Sequence, residues 1–173
     1  MLAKARFRAL GLTAMTTTSD ELEPGTIFGR YRIERKMGEG GTAAVYEATH
    51  MGLGKRVVVK ILLRRHAKDS TLRKRFLREG EAAVRIRHPH VVDVTDVGMH
   101  DGTAFLVMEY LEGETLAGVL DREGALPVDV AGDLMLPVMA GVSAAHDAGI
   151  IHRDIKPDNI FLSRAPSGEI VPK

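Results

Sequence analysis

An α+β fold, in which a small, mostly antiparallel sheet with one helix is followed by a helical part, is what this sequence of 173 residues predicts. Three observations lead to it. Strand-like alternation dominates up to residue 111, and one stretch of helical period interrupts it. After "LEGETL" the apolar spacing turns helical. The predicted division is a tail over 1–23, a sheet-bearing unit over 24–111 and a helical unit over 112–173.

In the tail, "MLAKARFRALGLTAMTTT" is basic, acid-poor and only briefly apolar. It reads as a frayed end, or as a start placed upstream of Met15, in preference to a targeting peptide. From Pro24 the chain becomes β-like: Tyr31 and Ile33 alternate with Arg30, Arg32 and Glu34 and run into "GEGGTAAV". Val45 to Thr49 reads as a second strand, "MGLG" as a turn and Arg56 to Leu62 as a third strand. Ser70 to Arg87 has helical period. Val91 to Val97 and Thr103 to Tyr110 read as strands joined at Asp101-Gly102, a strong hairpin signal. A short helix near Leu116 to Leu120 and a long one from about Asp129 to Ala148 come next, with Pro137 expected to kink or divide the latter.

Composition narrows the function classes. The formal net charge is +1, which provides no global field for nucleic acid or anionic membrane. The basic run around Arg64, Arg65, His66, Lys68, Arg73, Lys74, Arg75 and Arg78 therefore reads as a solvated face, and nucleic acid is not an expected partner. There is no cysteine, hence no disulfide and no thiolate nucleophile, which fits a reducing cytoplasmic compartment. No membrane-spanning segment is read from the apolar runs. His88 and His90 flank a proline and read as a structural turn, not a metal pair.

Two features carry chemistry. Glycines at 38, 40 and 41 let backbone N–H groups approach phosphate oxygens. Another strand comes after them and not a helix, so they cap a hairpin and form a flap over a ligand instead of opening a dinucleotide site. In "RVVVKILL" the period of two puts Val58 and Lys60 on one face. On a helical wheel, Leu72, Phe76, Glu79, Ala83 and Ile86 gather within about 40° of one direction. Glu79 is thereby expected on the sheet-facing stripe, with Lys60 as its partner.

These features, with "VVVK", "RFLREGEAA", "HPHVV", "VMEYLEGETL" and "GIIHRDIKPDNIFL" in that order, resemble the eukaryotic-type serine/threonine protein kinases of the bacterial branch, from about Thr26 to Lys173. The resemblance implies a kinase N-lobe followed by the first part of a C-lobe, with ATP and Mg²⁺ as cofactors and protein Ser/Thr as substrate. Gly38, Gly40 and Gly41 would cover the phosphates, and Val45 and Val58 would line the adenine slot. Lys60, oriented by Glu79, would contact the α- and β-phosphates. Met108 would guard the back of the pocket, and the backbones of Glu109 and Leu111 would bond the adenine edge. Asp154 would accept the substrate hydroxyl's proton, Lys156 would lie near the transferring phosphoryl group, and Asn159 would ligate Mg²⁺. Arg153 would pair with a phosphorylated activation loop, and His152 reads as a core or supporting histidine.

The sequence departs from the family pattern in places. Ala43 stands for the third glycine, Val58 for a frequent Ala, and Gly80 lies inside the helix at a cost of about 1 kcal/mol. No DFG motif occurs in these residues. The expectation is an incomplete catalytic domain, or alternatively a non-catalytic kinase-like module that binds nucleotide or pairs with a kinase-like or regulatory partner.

Overall fold

The computed structural model describes residues 21–173, so the tail expected over 1–23 lies almost wholly outside the described residues. A six-stranded antiparallel sheet is built from β1 (Ile27–Phe28), β2 (Tyr31–Glu39), β3 (Ala43–His50), β4 (Lys55–Leu62), β5 (Val94–His100) and β6 (Thr103–Glu109), in the order β1-β2-β3-β4-β6-β5. The predicted hairpins fall where the turn chemistry placed them. Asp101 and Gly102 take φ of 46° and 74°, the left-handed pair that a two-residue β-hairpin requires.

Each face of the sheet has its own apolar cluster. Tyr31, Ile33, Tyr46, Ala48, Val59, Ile61, Phe105 and Val107 pack on one side. On the other, Ala43, Leu62, Ala104 and Leu106 meet Phe76 of α1 (Ser70–Ala83). Period two explains the split, because Val59 and Ile61 point one way and Lys60 and Leu62 the other.

Helix α1 is shorter than its sequence period suggests. Asp69 caps it, accepting from the N–H groups of Thr71 at 2.9 Å and Leu72 at 3.0 Å. It ends at Ala83, after which Arg85 N–H bonds Ala82 O and Ile86 N–H bonds Ala83 O, tightening the last turn. Ile86 is buried from that turn and not from the helix.

Gly80 is the helix's point of closest approach to the sheet. An ideal Cβ there would lie 2.9 Å from Val97 Cγ2 and 3.1 Å from Val97 Cγ1. Its helix-propensity cost is offset by this close packing. Gly80→Ala is therefore expected to destabilise the protein by about 1–3 kcal/mol despite alanine's higher propensity. A urea titration checks the sign, and a more stable variant would show that α1 shifts freely.

The second part is less purely helical than the sequence suggests. Alongside α2 (Leu116–Glu123) and α3 (Val128–Asp147) it contains a three-stranded antiparallel sheet of β7 (Gly113–Thr115), β8 (Phe161–Arg164) and β9 (Ile170–Pro172), in the order β7-β8-β9. Strands of three or four residues are too short to show alternation, so no periodic signal marks them in the sequence. Leu116, Val119, Val138, Ile160 and Leu162 form the core of this part.

Pro137 does not divide α3, which runs unbroken through it. A proline withholds one N–H, and the packing of Leu134, Met135, Val138 and Val142 holds the remaining turns. By length and composition α3 is apolar enough to cross a membrane, and 17% of that apolar window is buried. Its packed side is Val138, Gly141 and Ala145, and a Cβ at Gly141 would come within 2.6 Å of the His90 carbonyl oxygen.

Candidate nucleotide and catalytic-loop site

The sheet register assembles the glycine side of the site. Gly38 pairs with Val45, Val45 with Lys60, and Lys60 with Leu106, so the four stand in one row across β2, β3, β4 and β6. Val58 lies two residues from Lys60 on the same face and pairs with Met108. Leu106, which the sequence reading did not select, completes the row; alternation on β6 together with the β4 pairing would have found it.

Gly40 N–H bonds Ala43 O at 2.9 Å, closing the β2–β3 hairpin that the glycines were expected to cap. None of Gly38, Gly40 and Gly41 takes a positive φ. A Cβ at Gly38 or Gly41 would meet nothing within 4 Å, and at Gly40 only the Ala43 carbonyl at 3.9 Å. Neither backbone conformation nor packing within the chain requires glycine at these positions. The space they leave fits a group that must come close to the backbone.

The loop's own acid is turned away from that space. Glu39 is held by Lys36 at 2.8 Å and Arg65 at 3.3 Å, and the hydrogen bond from Lys36 keeps its carboxyl below the usual range. From below, Arg65 donates to the Gly41 carbonyl at 3.4 Å, and His66 Nε2 lies 3.1 Å from the same oxygen. In the sequence these supports read only as solvated charge. Ala43, the third-glycine position, is buried against Leu62, so its methyl serves the core.

The expected Lys60–Glu79 pair is not formed. Glu79 is 63% exposed and bonds Arg75 across one helical turn at 2.8 Å, while half-buried Lys60 has no acidic partner among the described residues. The cause is the rotation of α1. Ile86 is outside the helix, and Gly80 and Leu77 turn inward beside Phe76, which moves the buried stripe off Glu79.

From the end of β6 at Glu109, Tyr110 to Glu112 connects the two parts. Buried Glu47 accepts from Arg56 at 2.8 Å and pairs with Arg35 at 2.8 Å, and the Arg56 guanidinium stacks 3.8 Å from the Tyr110 ring centroid. Glu109 and Leu111 are half-buried beside Tyr110.

The acidic loop is organised by Asn159. Its Nδ2 donates to both Asp154 O and Asp154 Oδ2 at 2.9 Å, and Lys156 Nζ stands 3.5 Å from the same carboxylate oxygen. Asp154 Oδ1 and Asn159 Oδ1 are left to accept from or ligate something else. Arg153 holds a φ of 65°, a left-handed conformation uncommon for a side-chain-bearing residue. His152 is exposed, which corrects its reading as a core residue. Its Nδ1 accepts from Asp154 N–H at 3.3 Å, so it supports the acid's backbone.

Oxygen donors suit Mg²⁺, which prefers few protein ligands plus substrate phosphates. Among the described residues no group of three or more His, Cys, Asp or Glu could hold a metal by itself. The Asn159 side-chain oxygen, unused in the bonds to Asp154, is of the donor type that Mg²⁺ takes.

Comparison with known proteins gives a consistent picture. A family model described as the protein kinase domain matches residues 31–170. The chain is 40% identical over 148 residues to serine/threonine-protein kinase pkn3 of Myxococcus xanthus, covering 85% of this chain and 27% of that protein. It is 40% identical over 140 residues to serine/threonine-protein kinase PknH of Mycobacterium tuberculosis, covering 81% and 22%. Among solved structures, the PknI kinase domain of Mycobacterium tuberculosis aligns with a TM-score of 0.75 and 33% identity, over 88% of this chain and 61% of that one. The chain thus spans about a quarter of the length of these curated relatives.

Proposed function

Because the chain belongs to the protein kinase domain family, we propose that it binds Mg-ATP under the glycine hairpin and carries the acidic loop for phosphoryl transfer to a serine or threonine hydroxyl of a protein. The proposed units are an N-lobe over 24–111 and a partial C-lobe over 112–173. The proposed compartment is the cytoplasm, where ATP is available.

The observation that carries the reading is the row Gly38, Val45, Lys60 and Leu106, with a half-buried cation lacking an acidic partner among the described residues beside glycines that nothing in the chain requires. Lys60 supplies positive charge to the α- and β-phosphates, Val45, Val58 and Met108 line the adenine slot, and the backbones of Glu109 and Leu111 meet its edge. Asp154 takes the hydroxyl proton as the substrate oxygen bonds the γ-phosphorus and the bond to the β-phosphate oxygen breaks, releasing ADP. Lys156 stabilises charge on the transferring group. Bound at Asn159 and the phosphates, Mg²⁺ would offset phosphate charge. Saturable ADP binding in a calorimetric titration, competed by ATP, is the expected result; its absence would refute the reading.

The Arg75–Glu79 bond favours a second reading, a kinase-like module held in a non-catalytic arrangement. Arg75 competes with Lys60 for the same carboxylate. Arg75→Ala removes the competitor and is expected to tighten ADP binding by about two- to fivefold, as befits an exposed pair one helical turn apart. Unchanged affinity would show that the helix rotation, and not Arg75, keeps Glu79 away.

A further inference from the structure

The region behind the connection between the two parts contains a tie that none of the proposed roles uses. Lys173 Nζ meets Glu109 Oε1 at 2.5 Å, with the side chains only 15% and 29% exposed. The same Oε1 accepts the N–H of Asp93 at 2.9 Å, and Glu109 N–H donates back to Asp93 O at 2.9 Å. Lys173 is itself fixed by paired backbone bonds with Phe161, both 2.8 Å. One residue earlier, Pro172 O lies 2.9 Å from His90 Nδ1. An open cavity of about 460 Å³, lined among others by Ile86, His88, Val91, Asp93, Glu109 and Lys173, runs alongside.

The geometry assigns Lys173 as a positioning residue for adenine recognition, acting through Glu109. This inference rests on the nucleotide reading. The Glu109 N–H is given to Asp93, and in the nucleotide reading its carbonyl accepts from an amino group on the adenine edge. A carbonyl discriminates only if its peptide is held in orientation. Two bonds on one carboxylate oxygen and one on the N–H fix the residue at both its side chain and its backbone. The charge-assisted contact from Lys173 is the strongest of the three, and it ties the start of the connection to the β8–β9 hairpin. Removing the ammonium leaves a half-buried carboxylate with a single neutral donor, and the peptide gains freedom that adenine binding must then remove.

The test uses the 173-residue chain with two ligands, ADP and inorganic tripolyphosphate, since only the first has an adenine. Lys173→Met is expected to weaken ADP binding by about three- to tenfold and to leave tripolyphosphate unchanged, while Lys173→Arg stays within about twofold of the parent for both. Glu109→Gln is expected to give a loss like that of Lys173→Met, with no further loss when the two are combined. If Lys173→Met fails to fold, Glu109→Gln alone carries the same comparison. Unchanged ADP affinity, equal losses for both ligands, or failure of arginine to rescue would overturn the assignment while leaving the nucleotide reading intact. A parent chain that binds neither ligand would overturn both.

Discussion

Replacing Lys60 by methionine is expected to lower the affinity for ADP by about 10- to 150-fold, the equivalent of losing a charge-assisted contact of roughly 1.5–3 kcal/mol. The same change should leave the fold about as stable as before, because the ammonium has no hydrogen-bond or ion-pair partner among the described residues to lose. Lys60 sits half-buried in a row with Val45 and Leu106. Methionine keeps the length and flexibility of the side chain and removes the charge. Binding lost while stability holds would mark a residue kept for a ligand and not for packing. Titration with ADP and urea denaturation on one preparation read both. A variant with unchanged affinity would remove Lys60 from the site, and one that unfolded would show that the ammonium has a structural task.

Asp154→Asn is the second large effect, and it falls on the rate. In a catalytically active kinase domain that carries these residues, it is expected to lower kcat by about 10²–10⁴, the usual contribution of a positioned general base. ADP affinity and stability should hold, since Asp154 is exposed and the amide oxygen can still accept from Asn159. The 173-residue chain itself, with Glu79 turned to solvent, is expected to show no phosphotransfer above background. Asp154-dependent phosphorylation of a protein substrate by that chain would contradict this, and would mean that α1 rotates inward readily enough for turnover.

The candidate site was read from local chemistry and motif order. Glycines before a strand, a lysine on a β-branched strand and the order of motifs were enough to select Gly38, Val45, Val58, Lys60 and Asp154, and sheet register then brought four of the chosen or neighbouring positions into one row. Glu79 lies where local periodicity stops being a guide. A wheel treats Ser70 to Arg87 as one helix, whereas the chain tightens after Ala83, and the stripe that packs is defined by Gly80 and Phe76. A glycine carries no hydrophobic weight on a wheel, yet it permits the closest contact, so the helix buries a direction that the apolar side chains alone do not indicate. Lys173 and Glu109 are 64 residues apart and meet through two different sheets, a juxtaposition that no periodicity reports.

By itself the sequence determined the family, most of the strands up to residue 111 and the candidates for phosphate and proton chemistry, because backbone sterics, side-chain period and turn chemistry act over a few neighbouring residues. The tertiary structure alone decided which partner Glu79 takes, how the glycine hairpin is supported by Arg65 and His66, and how the connection between the two parts is held. Those choices depend on differences of about an ångström in packing distance between elements far apart in the chain, as where Gly80 lies on Val97.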